Sequence, residues 1–348
     1  MSTARGAYRA LSLVALLVGL LLGSCASEGG TGASWPTAVN PVEQAEPMWV
    51  TGSVLHLGDG TRLDLGHQVL RFVAAGGGVY FVSSDEEARD LAASESDGIP
   101  AAYLFFADRD GVQDTGARID WRSLHASPDG RYLAYIDRVS GPTEQYDYPV
   151  AEAVIIDLER GHEVVRSRQG MGWESDDPDH VPDLPWLYEE SPPGVLGVSN
   201  EFAWVATTEG VLAVDLASGG TAWVADEEAL PWTAPRYDDP SIRYPGPWNT
   251  EGTWAIATTH PRSHFVSADG DVLVPEAPGP SWGLSRWLDE TTAFGAVVDE
   301  APTEAGWADT DALATWITCT VPDGVCRPIP GAEGIDRLEV LLPHPSQP

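Results

Sequence analysis

The chain has 348 residues, 43% of them hydrophobic and 14 of them tryptophan, and a formal net charge of -34. That much apolar material builds a core, so the acidity is not a mark of disorder. A chain this acidic is unsuited to nucleic acid, whose phosphates need a basic footprint, and anionic lipid would repel it.

In chain order, the first element is a leader. Arg5 and Arg9 precede an apolar run from Leu11 to Leu22, the charged and hydrophobic regions of a secretory signal. The run is shorter than the roughly 20 residues of a membrane span. Leu22, Gly23, Ser24 and Cys25 follow. These four resemble the lipobox of bacterial lipoproteins. The resemblance implies cleavage before Cys25, a lipid on its thiol, and attachment to the extracytoplasmic face of the cell membrane. Residues 1–24 are therefore expected as signal peptide. Residues 25–47, rich in Ser, Gly, Thr, Pro and Ala after the cysteine, are expected as a flexible tether, and 48–348 as the folded domain.

Within that domain a hairpin pattern returns six times: a β-rich run, a turn ending in glycine, and a second β-rich run. The copies are 54–65, turning at Asp59 and Gly60; 103–114, at Asp110 and Gly111; 154–165, at Arg160 and Gly161; 211–224, at Ser218 and Gly219; 264–274, at Asp269 and Gly270; and 316–329, at Asp323 and Gly324. Between them lies a second kind of hairpin, clearest at 124–135, where Pro128, Asp129 and Gly130 form the turn. Its looser relatives are 72–82, 196–206, 248–257 and 287–297. Two hairpins make one four-stranded sheet.

The stretch from Ser127 to Tyr135 resembles the repeat signature of WD-like and TolB-type β-propellers. That implies four-stranded antiparallel blades around a central channel. The expectation is an all-β β-propeller of six blades, with five or seven as alternatives. The opening hairpin lacks inner strands, and the last apolar run, 338–342, is expected to pair beside it, so that N- and C-terminal strands close the ring.

The connections at 172–193 and 226–250 are long, acidic and aromatic. Leu184-Pro185-Trp186 is echoed by Leu230-Pro231-Trp232, and Pro245-Gly246-Pro247-Trp248 by Pro278-Gly279-Pro280-Ser281-Trp282. Trp186, Trp232, Trp248 and Trp282 are candidates to ring one mouth of the channel, where stacking and cation–π contact suit a protein, peptide or glycan ligand. The competing reading packs these rings between blades.

Two acidic runs raise calcium: Glu174, Asp176, Asp177, Asp179 and Asp183, and Asp108, Asp110 and Asp114. The second lacks the terminal Glu of a calcium loop. A solvated loop and an Asp-Gly turn are preferred, and no metal or cofactor is assigned. Residues 279–283 match a nucleophile elbow in spelling, but Pro278 and Pro280 oppose its strand-turn-helix geometry, and the one later histidine, His344, lies in a proline-rich tail. His260 and His264 do not share a helical face that could bind zinc. No catalytic residue is assigned. Cys319 and Cys326, either side of Pro322, Asp323 and Gly324, are expected to form a disulfide across the last hairpin in an oxidising compartment. The functional expectation is a membrane-anchored binding or scaffold module. The alternative is a cell-envelope hydrolase or lyase using carboxylates in the channel.

Overall fold

A computed structural model of the protein describes residues 35–42, 46–83, 101–143, 148–172, 183–225, 245–249, 251–259, 262–298, 313–336 and 340–343. The first sheet has the order β25-β1-β2-β3, from β25 (Val340–Leu341), β1 (Met48–Thr51), β2 (Val54–Leu57) and β3 (Arg62–Asp64). The next three run in chain order. They comprise β4 (Val69–Ala75), β5 (Gly78–Ser83), β6 (Ala101–Asp108) and β7 (Gly111–Asp120); β8 (His125–Ala126), β9 (Tyr132–Asp137), β10 (Glu152–Asp157) and β11 (His162–Ser167); and β12 (Gly194–Val198), β13 (Phe202–Thr207), β14 (Gly210–Asp215) and β15 (Thr221–Trp223).

The remaining sheet joins two further meanders through a single parallel pair, Arg262 with Trp282. One meander is β16 (Pro245–Trp248), β17 (Trp254–Thr259), β18 (Arg262–Ser267) and β19 (Val272–Leu273). The other is β20 (Ser281–Trp287), β21 (Thr292–Val298), β22 (Leu313–Thr320) and β23 (Cys326–Pro328), with the short β24 (Ile335–Asp336) on β22. Every expected hairpin of both kinds is present. The tip glycines of the first kind all take positive φ, 68° at both Gly161 and Gly324, which a side chain would strain.

Apolar residues from successive sheets share cores. One cluster joins Val50 and Leu55 to Phe72 and Phe81, a second joins Tyr80 and Leu104 to Leu133 and Ile156, and a third joins Ala134 and Ile155 to Val205 and Val214. Trp49 of β1 packs with Phe294 and Trp316 of the last meander. First strands also adjoin: β25 contacts β4, β4 contacts β8, β8 contacts β12, and β16 contacts β20. The result is a propeller-like all-β domain.

The C-terminal run joins the sheet of the opening hairpin but not the hairpin itself: it pairs with β1, Val340 opposite Thr51 and Leu341 opposite Val50, and β1 lies between it and β2. The strand that receives it, β1, was not foreseen. Three of its four residues are buried in a row, so it lacks the alternation that betrays a half-exposed strand. Cys319 and Cys326 are opposite one another on β22 and β23 and are disulfide-bonded, with Cα atoms 4.1 Å apart.

The turn at 127–130 shows how the repeat motif works. Ser127 Oγ accepts from the Tyr132 N–H (2.9 Å), Asp129 Oδ1 accepts from the Arg131 N–H (3.0 Å), and Gly130 donates to the Ser127 carbonyl (2.8 Å). The related turns fill the same role with other acceptors. Ser199 Oγ serves Phe202 N–H, Asn249 Oδ1 serves Thr253 and Trp254 N–H, and Asp289 Oδ1 serves Thr291 and Thr292 N–H. Neighbouring turns are bonded to each other. Gly76 N–H donates to the Gly130 carbonyl, Asp129 N–H to Asn200 Oδ1, and Asn249 Nδ2 to the Glu290 carbonyl.

Residues 35–42, expected within a free tether, are instead docked as a strap. Ala38 and Val42 N–H donate to the carbonyls of Gly76 and Gly77, Val39 and Asn40 N–H to Asp108 Oδ2, and Tyr80 Oη to the Pro36 carbonyl. Val42 is buried, and Trp35 tilts against Tyr135. The composition that suggested flexibility hid two apolar anchors and a run of backbone donors. Of the expected tether, 25–34 and 43–45 lie outside the described residues.

Arg131 of the signature reaches across to Asp157, Nη2 to Oδ2 at 2.7 Å and Nε to Oδ1 at 3.2 Å, and Arg160 N–H adds a third bond to this buried carboxylate. Burial alone would raise the Asp157 pKa. The Arg131 bonds, the Arg160 N–H and both guanidinium charges outweigh it and hold the group below the usual carboxylate range. Asp157→Ala should cost about 2 kcal/mol at neutral pH in urea unfolding. A carboxylate depressed in the folded state contributes fully above its unfolded pKa of about 4 and loses that contribution as pH falls through the folded value. The gap between wild type and variant should therefore narrow only below about pH 4.

Candidate functional site

In each antiparallel meander the first-to-second and third-to-fourth connections lie at one end, and the second-to-third and sheet-to-sheet connections at the other. The glycine-tipped turns and the strap belong to the first end. The strand ends flanking 84–100, 173–182, 226–244 and 299–312 all belong to the second. The domain thus has a turn end and a long-connection end, and the polar chemistry of the latter is concentrated between the second and fourth sheets.

Its centre is Asp120, at the end of β7 and 2% exposed. Asp120 Oδ1 accepts from Arg122 N (3.0 Å) and Nε (3.2 Å), and Oδ2 accepts from Arg122 Nη2 at 3.2 Å and Arg138 Nη1 at 3.4 Å. Arg71 on β4 joins them. Its Nε donates to the Leu124 carbonyl (3.1 Å), and its Nη2 lies 3.3 Å from His125 Nε2. A guanidinium only donates, so this contact places the ring proton of His125 on Nδ1. Burial pushes the Arg71 pKa down to about 10 against the pull of Asp120, leaving it charged at neutral pH. Two guanidinium groups thus bond one carboxylate, and a third, Arg71, lies within its electrostatic reach.

Arg138 is buried and lies over the Tyr188 ring at 4.9 Å. Tyr188 belongs to α1 (Leu184–Glu190), a short helix where sequence reasoning expected only a connection. Asp183 caps it, accepting from Trp186 N–H, and Pro185 occupies its first turn, where no amide donor is needed. Leu184 and Tyr188, four apart, face inward. Tyr188 Oη accepts from Ala151 N–H and donates to the Met171 carbonyl, each at 2.9 Å. Trp186 faces out and is 59% exposed.

The other candidate tryptophans divide. Trp232 lies outside the described residues. Trp248 on β16 is partly buried. Trp282 is packed inside: 5% exposed, it donates Nε1 to the Ser263 carbonyl at 2.8 Å, and Arg262 lies over its ring at 4.8 Å. Trp223, which no motif singled out, is 45% exposed at the end of β15, against Gly170 and Gly210. Trp186 and Trp223 are therefore the exposed aromatic rings of the described long-connection end.

The acids considered for calcium serve the backbone. Asp108 takes the N–H groups of Val39, Asn40 and Asp110, and Asp114 that of Gly116. Of the other run only Asp183 is described, as the helix cap. No group of three or more His, Cys, Asp or Glu able to hold a metal is found among the described residues. A shallow cleft of about 470 Å³ beside the first two sheets holds Asp64, Asp114 and His67, with His67 stacked on Phe105 at 4.3 Å. Both of its carboxylates are committed to turns, Asp64 to Gly66 N–H and Asp114 to Gly116 N–H. Among the described residues every carboxylate with a resolved shift lies below its ordinary value: Asp59, Asp108, Asp157, Asp289 and Asp323. None of these is held as a proton donor near neutral pH. His260 and His344 lie outside the described residues.

No protein-family model and no curated protein sequence matches the chain. Solved structures resemble it loosely. A putative TolB from Agrobacterium tumefaciens is 12% identical over 86% of this chain and 93% of its own, with a TM-score of 0.36. A puromycin hydrolase mutant is 13% identical, with 86% of this chain covering 46% of that one and a TM-score of 0.31. Virginiamycin B lyase from Staphylococcus aureus is 12% identical over 74% of this chain and 82% of its own, with a TM-score of 0.26. Likenesses this loose carry no argument of their own, and the reading of the fold rests on the sheets.

The arginine hub yields a direct test. Asp120→Ala leaves Arg71 and Arg138 together without their shared counter-charge, a loss of about 3 kcal/mol in chemical denaturation. Arg122→Ala removes only the half-exposed partner, and its cost should stay under about 1 kcal/mol.

Proposed function

We propose that this chain is a six-bladed β-propeller, exported behind the leader 1–24, held on the extracytoplasmic face of the cell membrane by a lipid on Cys25, and acting as a binding module for a protein, peptide or glycan of the cell envelope. Six sets of four strands and the pairing of β25 with β1 support the blade count and the closed ring.

One observation carries the binding role: the two ends of the domain are built differently. The turn end is sealed by short turns bonded to one another and by the strap. The other end carries the exposed Trp186 and Trp223 and, at the edge of the buried arginine hub, the half-exposed Arg122. Aromatic and arginine side chains on one face are the composition of a recognition surface, and connections on a rigid scaffold are where binding residues collect. Trp186 offers a flat ring on a helix fixed by Tyr188, which suits stacking on a sugar or an aromatic or cationic peptide side chain.

Two experiments test the parts separately. Wild-type protein expressed in a bacterial host should partition with membranes and with detergent, whereas Cys25→Ser should be released to the soluble fraction; membrane retention of that variant would defeat the anchor. Calorimetric titration with cell-wall glycan and peptide fragments should show about tenfold weaker binding for Trp186→Ala, a loss of about 1.4 kcal/mol, with Tm unchanged because the ring is exposed. Equal binding by both proteins would remove this end as the recognition face.

A further inference from the structure

At the seam between the last meander and the first sheet, a group of buried donors has no acceptor among the described residues. Arg286, on β20, has Nε and Nη2 shielded from solvent without a hydrogen-bond partner, and the same holds for Nε1 of Trp316 on β22 and Nε1 of Trp49 on β1. Both tryptophans are more than nine-tenths buried. The three side chains are linked through one aromatic stack. Arg286 lies 5.8 Å from the centre of the Phe294 ring, Phe294 stacks on Trp316 at 5.1 Å, and Trp316 meets Trp49 at 6.3 Å. Ile329, Ala332 and Leu342 complete an apolar surround.

Buried polar groups are almost always satisfied, and a buried cation without a counter-charge is costlier still. The local chemistry is one-sided. A guanidinium and two indole N–H groups can only donate, so what satisfies them must only accept. With 53 acidic residues in the chain, a carboxylate partner for Arg286 was easily supplied from within. None is found among the described residues, and burial is the cause that pushes the Arg286 pKa down to about 10. Arg286 stays charged at neutral pH. It is partly exposed as a whole and sits on a first strand, the position that faces the channel in a propeller.

We propose that Arg286, Trp316 and Trp49 form a binding site for a small carboxylate at this seam. The planar fork of the guanidinium takes carboxylate oxygens side by side, and the indole N–H groups supply further donors. Because Trp49 comes from the first sheet and Arg286 from the last, an occupant ties the two together.

The test is thermal unfolding and tryptophan fluorescence of the purified protein, titrated with acetate or succinate against chloride at equal ionic strength, with inorganic phosphate as a further arm. Acetate or succinate should raise Tm by about 2 °C at ten times Kd, with a fluorescence change that saturates as the site fills. Arg286→Met, similar in length and without charge, should fold at least as well in chloride and lose the response. Trp316→Phe keeps most of the ring and should weaken binding about fivefold. Should Arg286→Met fail to fold, Trp316→Phe and Arg286→Lys carry the comparison, each expected to bind more weakly than wild type. A fluorescence response that does not saturate, an equal response in chloride, or variants that respond like wild type would overturn the site. A response to phosphate in place of carboxylate would overturn the ligand class.

Discussion

A turn packed against its neighbours needs acceptors for backbone N–H groups that no strand pairing uses, and this requirement shapes the whole molecule. At the head of each inner hairpin turn from the third set onward, a side-chain oxygen meets it, from Ser127, Ser199, Asn249 or Asp289. With its own donors occupied, a turn can be placed against the next, and the bonds from Gly76 to Gly130, Asp129 to Asn200 and Asn249 to Glu290 do so. These contacts set how one sheet stands relative to the next. The apolar faces between sheets supply burial but little direction, since hydrophobic contact is not directional.

The same requirement gives a role to ten of the 53 acidic residues. Asp59, Asp64, Asp108, Asp114, Asp120, Asp129, Asp137, Asp157, Asp215 and Asp289 all accept from backbone N–H groups in turns or loops. An aspartate suits such a turn because its short side chain reaches donors two or three residues on. These aspartates have structural work in turns, so acid density is a poor guide to a ligand site in this chain. The arginines carry more local information: Arg131 ties two strands through Asp157, Arg166 gathers Asp137, Glu152 and Glu163, and Arg138 lies under α1.

This division decided what could be read from the sequence. The hairpins of the first kind were legible because period, β-branched content and a glycine at each tip all agree. The first strand was not, because Met48, Trp49 and Val50 are buried in succession. The helix α1 was hidden by its brevity and by Pro185, which breaks a helix interior but is tolerated in the first turn. The strap was hidden by a composition shared with true linkers. The candidate site was the least legible part. Asp120, Arg138 and Tyr188 meet only because a loop, a strand end and a helix converge, and no local spacing records that. Trp186 follows Pro185 directly and Trp282 follows Pro280 by two residues, yet Trp282 is packed under Arg262 and Trp186 is exposed. A nearby proline does not say which side of a strand or helix a ring occupies.

The difference between the two ends has a further consequence for how the parts can vary. At the turn end, the strap depends on the carbonyls of Gly76 and Gly77 and on the Asp108 carboxylate, and each turn depends on the next. A change in loop length there breaks several bonds at once. At the other end, the described strands β5 and β6, and β21 and β22, pair on either side of 84–100 and 299–312. A longer connection between paired strands costs little more entropy to close. A domain built this way ties its sheets to one another at one end through backbone and turn hydrogen bonds, and at the other through Asp120 and Tyr188.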